Sequence, residues 1–124
     1  VTPTSRKPDE LLQEALFHCE RAMSYAQRDL SDMMALDAVA LRIVAGIDAI
    51  GALPEGLRSE VAGGDWPVIR GMRNRIVHGY VAVDSEVLAT TAQEDVPVLV
   101  HALRDAIERR GAGQRMDGAA DTHA

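Results

Sequence analysis

Leu88, Ala92, Val96, Leu99, Leu103 and Ile107 recur at intervals of four, four, three, four and four residues. That is the period of a helix burying one continuous face, and it commits the C-terminal part of the chain to a helical register. The helix is expected to start at Asp84 or Ser85 and to bend at Pro97, which lies inside the stripe. Leu12, Leu16, Cys19, Met23 and Ala26 repeat in the same manner and predict a first helix of about twenty residues from Asp9. Ser31 can cap a second helix from Asp32 to about Ala52, apolar almost all round and therefore the most buried. Leu53-Pro54 breaks it, and Pro54 can open a short third helix, Glu55 to Val61, ended by Gly63-Gly64. Asp65 can cap a fourth, with Pro67 in its first turn, and Val81 to Val83 reads as a packed connector.

Only 3% of residues are aromatic, while Ala, Val, Leu and Ile are plentiful, which favours small-residue helix packing over a sandwich. A chain of 124 residues suffices for one core and not for two. The expected architecture is all-α, an antiparallel bundle of four long helices plus a short one. It forms a single domain over residues 9–110, with 1–8 a disordered lead and 111–124 a disordered tail rich in Gly, Ala, Asp, Gln and Thr.

Thirteen basic against nineteen acidic residues give a formal charge of −6, which excludes a generic, charge-driven nucleic-acid binder. Any RNA contact must be local, and repulsion from the remaining surface limits its affinity unless two basic segments come together in a dimer. The single cysteine, Cys19, can form no internal disulfide and has no companion at metal-ligand spacing, so a reducing cytoplasm is the expected compartment. Residues 33–53 are apolar but interrupted by Asp37, Arg42 and Asp48, as in a buried helix rather than a membrane span. No Walker loop, HExxH or Cys/His cluster writes a metal or cofactor site into the sequence. His18 and His101 read as surface or boundary helix residues, and Trp66 as a core anchor.

The chemistry concentrates in Gly71-Met72-Arg73-Asn74-Arg75-Ile76-Val77-His78-Gly79-Tyr80, with Arg70 just ahead. Wound as a helix, Val68, Ile69, Met72, Ile76 and Tyr80 share one arc for burial, leaving Arg70, Arg73, Asn74, Arg75 and His78 on the rest. Asn74 and His78 are stacked neighbours, and Arg73 can swing onto their face. Arginine keeps its charge and forks onto a phosphate, while histidine moves a proton near neutral pH. Together they meet the needs of a metal-free phosphodiester reaction.

Arg73, four intervening residues, His78, one residue and Tyr80 resemble the R-x4-H-x-Y signature of HepT-like toxins in the HEPN superfamily. The longer string GMRNRIVHGYVAVD and the flanks Asp65-Trp66-Pro67 and Glu94-Asp95-Val96-Pro97 extend the likeness over roughly residues 40 to 105. The resemblance implies a cytoplasmic endoribonuclease toxin of a type VII-like toxin–antitoxin pair, acting on tRNA or mRNA. Arg73 would clamp the phosphate, His78 would serve as acid or base, and Asn74 would orient one or the other. It also implies a HEPN-like homodimer with its cleft where two motif helices meet, and silencing by AMP transfer to Tyr80 from a nucleotidyltransferase antitoxin of the MntA type. Tyr80 read without the family is a core tyrosine with its hydroxyl at the cleft edge. Family members commonly place an acidic residue, usually after a glycine, where Asp48 stands; here Ile47 precedes it. Asp48 is thus either catalytic support or a structural partner of an arginine among Arg70 to Arg75. Two other readings stand beside the ribonuclease: a non-catalytic helical partner that helps a nucleotidyltransferase bind substrate, and a packing network at a dimer interface.

Overall fold

The computed structural model describes residues 6–78 and 85–122, with side chains through residue 115. Every regular element among them is helical. The first helix, α1, spans Pro8–Tyr25; Pro8 occupies the opening turn, where its missing N–H leaves no bond unmade. α2 spans Met33–Gly51 and is capped by Asp32 rather than Ser31. The Asp32 carboxylate accepts the Met34 N–H at 3.0 Å. Ser31 is already engaged with Asp29, giving Oδ1 both its N–H at 3.0 Å and its hydroxyl at 2.8 Å. α3 follows as Glu55–Ala62.

The core sits where α1 and α2 cross. Leu12, Ala15, Cys19 and Ala22 of α1 meet Val39, Ile43, Ile47 and Ile50 of α2, all fully buried. Gly46 sets the closeness of that crossing, since a Cβ there would lie 2.8 Å from Cys19 Sγ. Burial pushes the Cys19 thiol up to about 12, so it packs as a small apolar group and stays a thiol at neutral pH. The two helices run in opposite directions: Arg42 reaches Phe17 and Tyr25, and one turn later Gly46 faces Ala15 and Cys19. The final helix also opposes α1, with Arg104 bonded to Glu20 at 2.8 Å and Arg110 to Asp9 at 2.6 Å.

The C-terminal stripe is helical throughout but in three pieces: α5, Ser85–Thr90, a π-helical turn over Thr91–Asp95, and α6, Val96–Thr122. Pro97 is the physical reason. It has no N–H to return to the turn before it, and its ring crowds the carbonyl four residues back, so the helix widens ahead of it. The Val96 N–H reaches the Thr91 carbonyl, and the Thr91 hydroxyl turns to the Val87 carbonyl at 2.8 Å. Leu88, Ala92, Val96 and Leu103 of the stripe nonetheless stay buried, whereas Leu99 and Ile107 pack only partly against the core and Val100 and Ala106 are buried instead.

α6 does not stop at Arg110, where composition places the start of a disordered tail; its helix runs on to Thr122. Gln114 Nε2 donates to Asp9 Oδ2 at 2.9 Å, tying that stretch back to α1. No helix among the described residues is long and apolar enough to cross a membrane. The connector Val81 to Val83 and Tyr80 lie outside the described residues.

Candidate functional site

The motif helix, α4, spans Trp66–His78. Gly63 ends α3 at φ +58°, a left-handed conformation that glycine enters without a steric penalty. A single 3₁₀ turn, Gly63–Asp65, then runs directly into α4, so Asp65 lies within the turn and makes no cap. The buried arc is narrower than the sequence suggests. Ile76 is fully buried, Ile69, Met72 and Trp66 pack partly against the core, and Val68 is 71% exposed. Val68 instead lines an apolar cavity of about 450 Å³ that reaches from α3, α4 and α6 down to Cys19 of α1 and Ile43 and Ile47 of α2.

On the other side of α4, Arg73 meets Asp48 of α2 fork to fork. Its Nε donates to Asp48 Oδ1 at 2.8 Å and its Nη2 to Oδ2 at 3.3 Å. These hydrogen bonds, and then the charge of Asp48, raise the Arg73 pKa further above its ordinary value and fix the guanidinium plane. The remaining arm, Nη1, points to Asn74 Oδ1 at 3.4 Å. The structure therefore pairs Asp48 with one arginine of the cluster and brings Arg73 and Asn74 together beside it.

These groups line a cleft of about 520 Å³ that also receives Arg70, Arg58 and Trp66. Arg58 is not singled out by the sequence. It belongs to a short helix without a motif, and no periodicity links it to the residues it joins. His78, the last residue of α4, is exposed and outside the cleft lining, one turn beyond Asn74 on the same face. Arg75 is exposed and does not line the cleft. Among the described residues, no group of three or more His, Cys, Asp or Glu side chains is placed to hold a metal ion.

Two other histidines have local partners. Arg42 Nη1 donates to His18 Nδ1 at 3.0 Å. Since arginine has no acceptor, this bond requires an unprotonated Nδ1, and burial, then the Arg42 charge, lower the His18 pKa. His101 lies 3.5 Å from Asp105 on the surface of α6.

The site geometry coincides with a family match. The family described as Ribonuclease HepT-like matches residues 12–106. The chain is also similar to "Putative RNase TTE0752" of Caldanaerobacter subterraneus subsp. tengcongensis, 24% identical over 102 residues that cover 82% of this chain and 91% of that protein. No solved structure matches. Because the family match spans α2, which carries Asp48, and α4, which carries Arg73, Asn74 and His78, as well as most of the core, this chain belongs to the Ribonuclease HepT-like family.

Proposed function

We propose that the chain is a metal-independent endoribonuclease, using Arg73, Asn74 and His78 as its catalytic residues. The observation that carries this is the Asp48–Arg73 fork, which fixes a charged guanidinium on the same helix that ends in His78. The ribose 2′-hydroxyl attacks the adjacent phosphorus, its proton passing to an imidazole acting as base. Arg73 neutralises charge gathering on the phosphate oxygens, and the departing 5′-oxygen takes a proton from an imidazolium. The products are a 2′,3′-cyclic phosphate and a free 5′-hydroxyl. Asp48 acts through Arg73 as a positioning residue, Asn74 orients the phosphate or the imidazole, and Arg70 and Arg75 add positive charge.

One α4 supplies one histidine, so separate base and acid imidazoles require a second protomer. Support for a homodimer comes from the helices around the site. α2 leaves Met34 81% and Leu41 65% exposed on the stripe that leads to Asp48, and α4 leaves Val77 44% exposed. Resemblance to HepT-like systems extends the reading to a toxin whose Tyr80 is silenced by AMP transfer from a nucleotidyltransferase antitoxin. Added bulk and negative charge two residues from His78 would repel RNA.

The test is cleavage of a tRNA and single-stranded RNA pool in excess chelator, with product ends mapped, by protein prepared without the modifying partner. Wild type is expected to leave cyclic-phosphate ends, and His78→Ala to lose about 10²–10⁴ in rate with its fold intact. A strict requirement for divalent metal, or full activity in His78→Ala, would refute the mechanism. An unmodified dimer that cuts nothing would point to the non-catalytic partner instead.

A further inference from the structure

The cleft continues along α4 away from His78, and its far end is built unlike its near end. Arg73 is engaged by Asp48, whereas Arg58 and Arg70 have no carboxylate partner among the described residues. Arg58 nevertheless does not hang free. It lays its guanidinium over the Trp66 indole, with Cζ 5.6 Å from the ring centroid. The indole is seated in turn against Gly51, where a Cβ would come within 3.1 Å of Cη2 and 3.3 Å of Cζ2. Three helices thus meet to hold one guanidinium beside a second arginine that has no carboxylate partner among the described residues. Ordering a long cation against an indole without a counter-charge, in a chain of net charge −6, suits a cleft that receives an anion and a flat ring.

We propose that Arg58, backed by Trp66, forms with Arg70 a nucleotide subsite adjoining the reacting phosphate. The neighbouring base stacks on the Arg58 guanidinium, and its phosphate is taken by Arg70. This rests on the ribonuclease reading. Trp66, Arg70, Asn74 and His78 follow one another every four residues along one side of α4, each step rising about 6 Å. A strand lying along the helix therefore passes from His78 and Arg73 to Arg70 and then Arg58. The base must present an open face, which a duplex hides, so the substrate is a single strand. Stacking on a planar platform tolerates any base, so the subsite selects for strand length and unpaired state more than for sequence.

The experiment compares kcat/KM on two substrates: a dinucleoside monophosphate, whose single phosphate is the scissile one and which has no further nucleotide to reach Arg70 and Arg58, and a single-stranded octamer with one free 2′-hydroxyl in a 2′-O-methyl background. Wild type should favour the octamer about tenfold or more, the scale of one stacked base. Arg58→Gln should reduce that preference to about twofold, chiefly through KM. Arg58→Lys, which keeps the charge and loses the plane, should do the same. A preference that survives in either variant overturns the subsite. Octamer binding by fluorescence anisotropy in the His78→Ala background carries the same comparison independently of catalysis. Arg58-dependent binding without wild-type cleavage would sink the ribonuclease reading and keep the subsite, and binding indifferent to Arg58 would sink the subsite. Thermal unfolding followed by circular dichroism confirms that each variant is folded, and Trp66→Leu, which withdraws the backing, serves as a second variant with the same expected loss.

Discussion

α1 and α2 contribute five and seven fully buried residues, whereas α4 contributes one, Ile76. The first pair is locked by a crossing so close that Gly46 leaves no room for a methyl group beside Cys19. The motif helix is held by the partly buried Trp66, Ile69 and Met72, by Ile76, and by one charged fork to Asp48. Stability is thus concentrated in α1 and α2 and the proposed chemistry on α4, with Asp48 of α2 joining the two. A helix with so little of its surface committed to the core can present a polar face to substrate, but its position depends on few contacts.

The sharpest challenge to that division is to remove apolar volume from each side. Ile43→Ala should cost about 2–5 kcal/mol in urea unfolding, whereas Val68→Ala, at an exposed position, should stay within about 0.5 kcal/mol. Equal costs would abolish the distinction. Next in size is the crossing itself. Gly46→Ala should destabilise by about 1–3 kcal/mol, and Cys19→Ala in the same chain should recover part of that loss, because the clash is with Sγ. Additive effects in a double-mutant cycle would show that the two residues do not share the constraint.

Asp48→Asn tests the other side. Exposed ion pairs contribute little to global stability, so unfolding should shift by less than about 1 kcal/mol. Amide exchange in α4 should quicken, and RNA cleavage should fall about tenfold as the Arg73 plane loosens. Global destabilisation without a change in cleavage would reverse the assignment. The smallest effect concerns His18, whose pKa is lowered in the fold by burial and by Arg42. As pH falls below about 6.5, the unfolded chain takes up the proton first. Stability should therefore decline from that point downward, and His18→Gln should flatten the decline.

What is legible in the sequence follows periodicity. The polar face of α4 can be read because its members fall within one helix, and an Asp48–arginine pairing can be anticipated because Asp48 is one of few charges on an otherwise apolar α2 and needs a counter-charge. Arg58 cannot be anticipated in this way. It reaches Trp66 only because Gly63, at positive φ, turns the chain between α3 and α4. Val68 escapes burial because the helix contacts the core along a narrower arc than its apolar residues describe. The stripe from Leu88 to Ile107 reveals its buried face but not its backbone, since spacings of four fit both an α-helix and a wider turn. The helix beyond Arg110 is likewise missed, because composition does not show that Gln114 bonds to Asp9.

That wider turn over Thr91–Asp95 has a consequence for chain length. A π-helical turn absorbs one surplus residue while the helices on either side keep their phase. Straightening it at constant length would rotate α5 by about 100° against α6, swinging Leu88 away from the core that Leu103 faces. Deleting one residue there, with Pro97→Ala to restore the missing donor, would leave both leucines where they are. The segment between the motif and the last helix can therefore lose one residue without changing which faces meet.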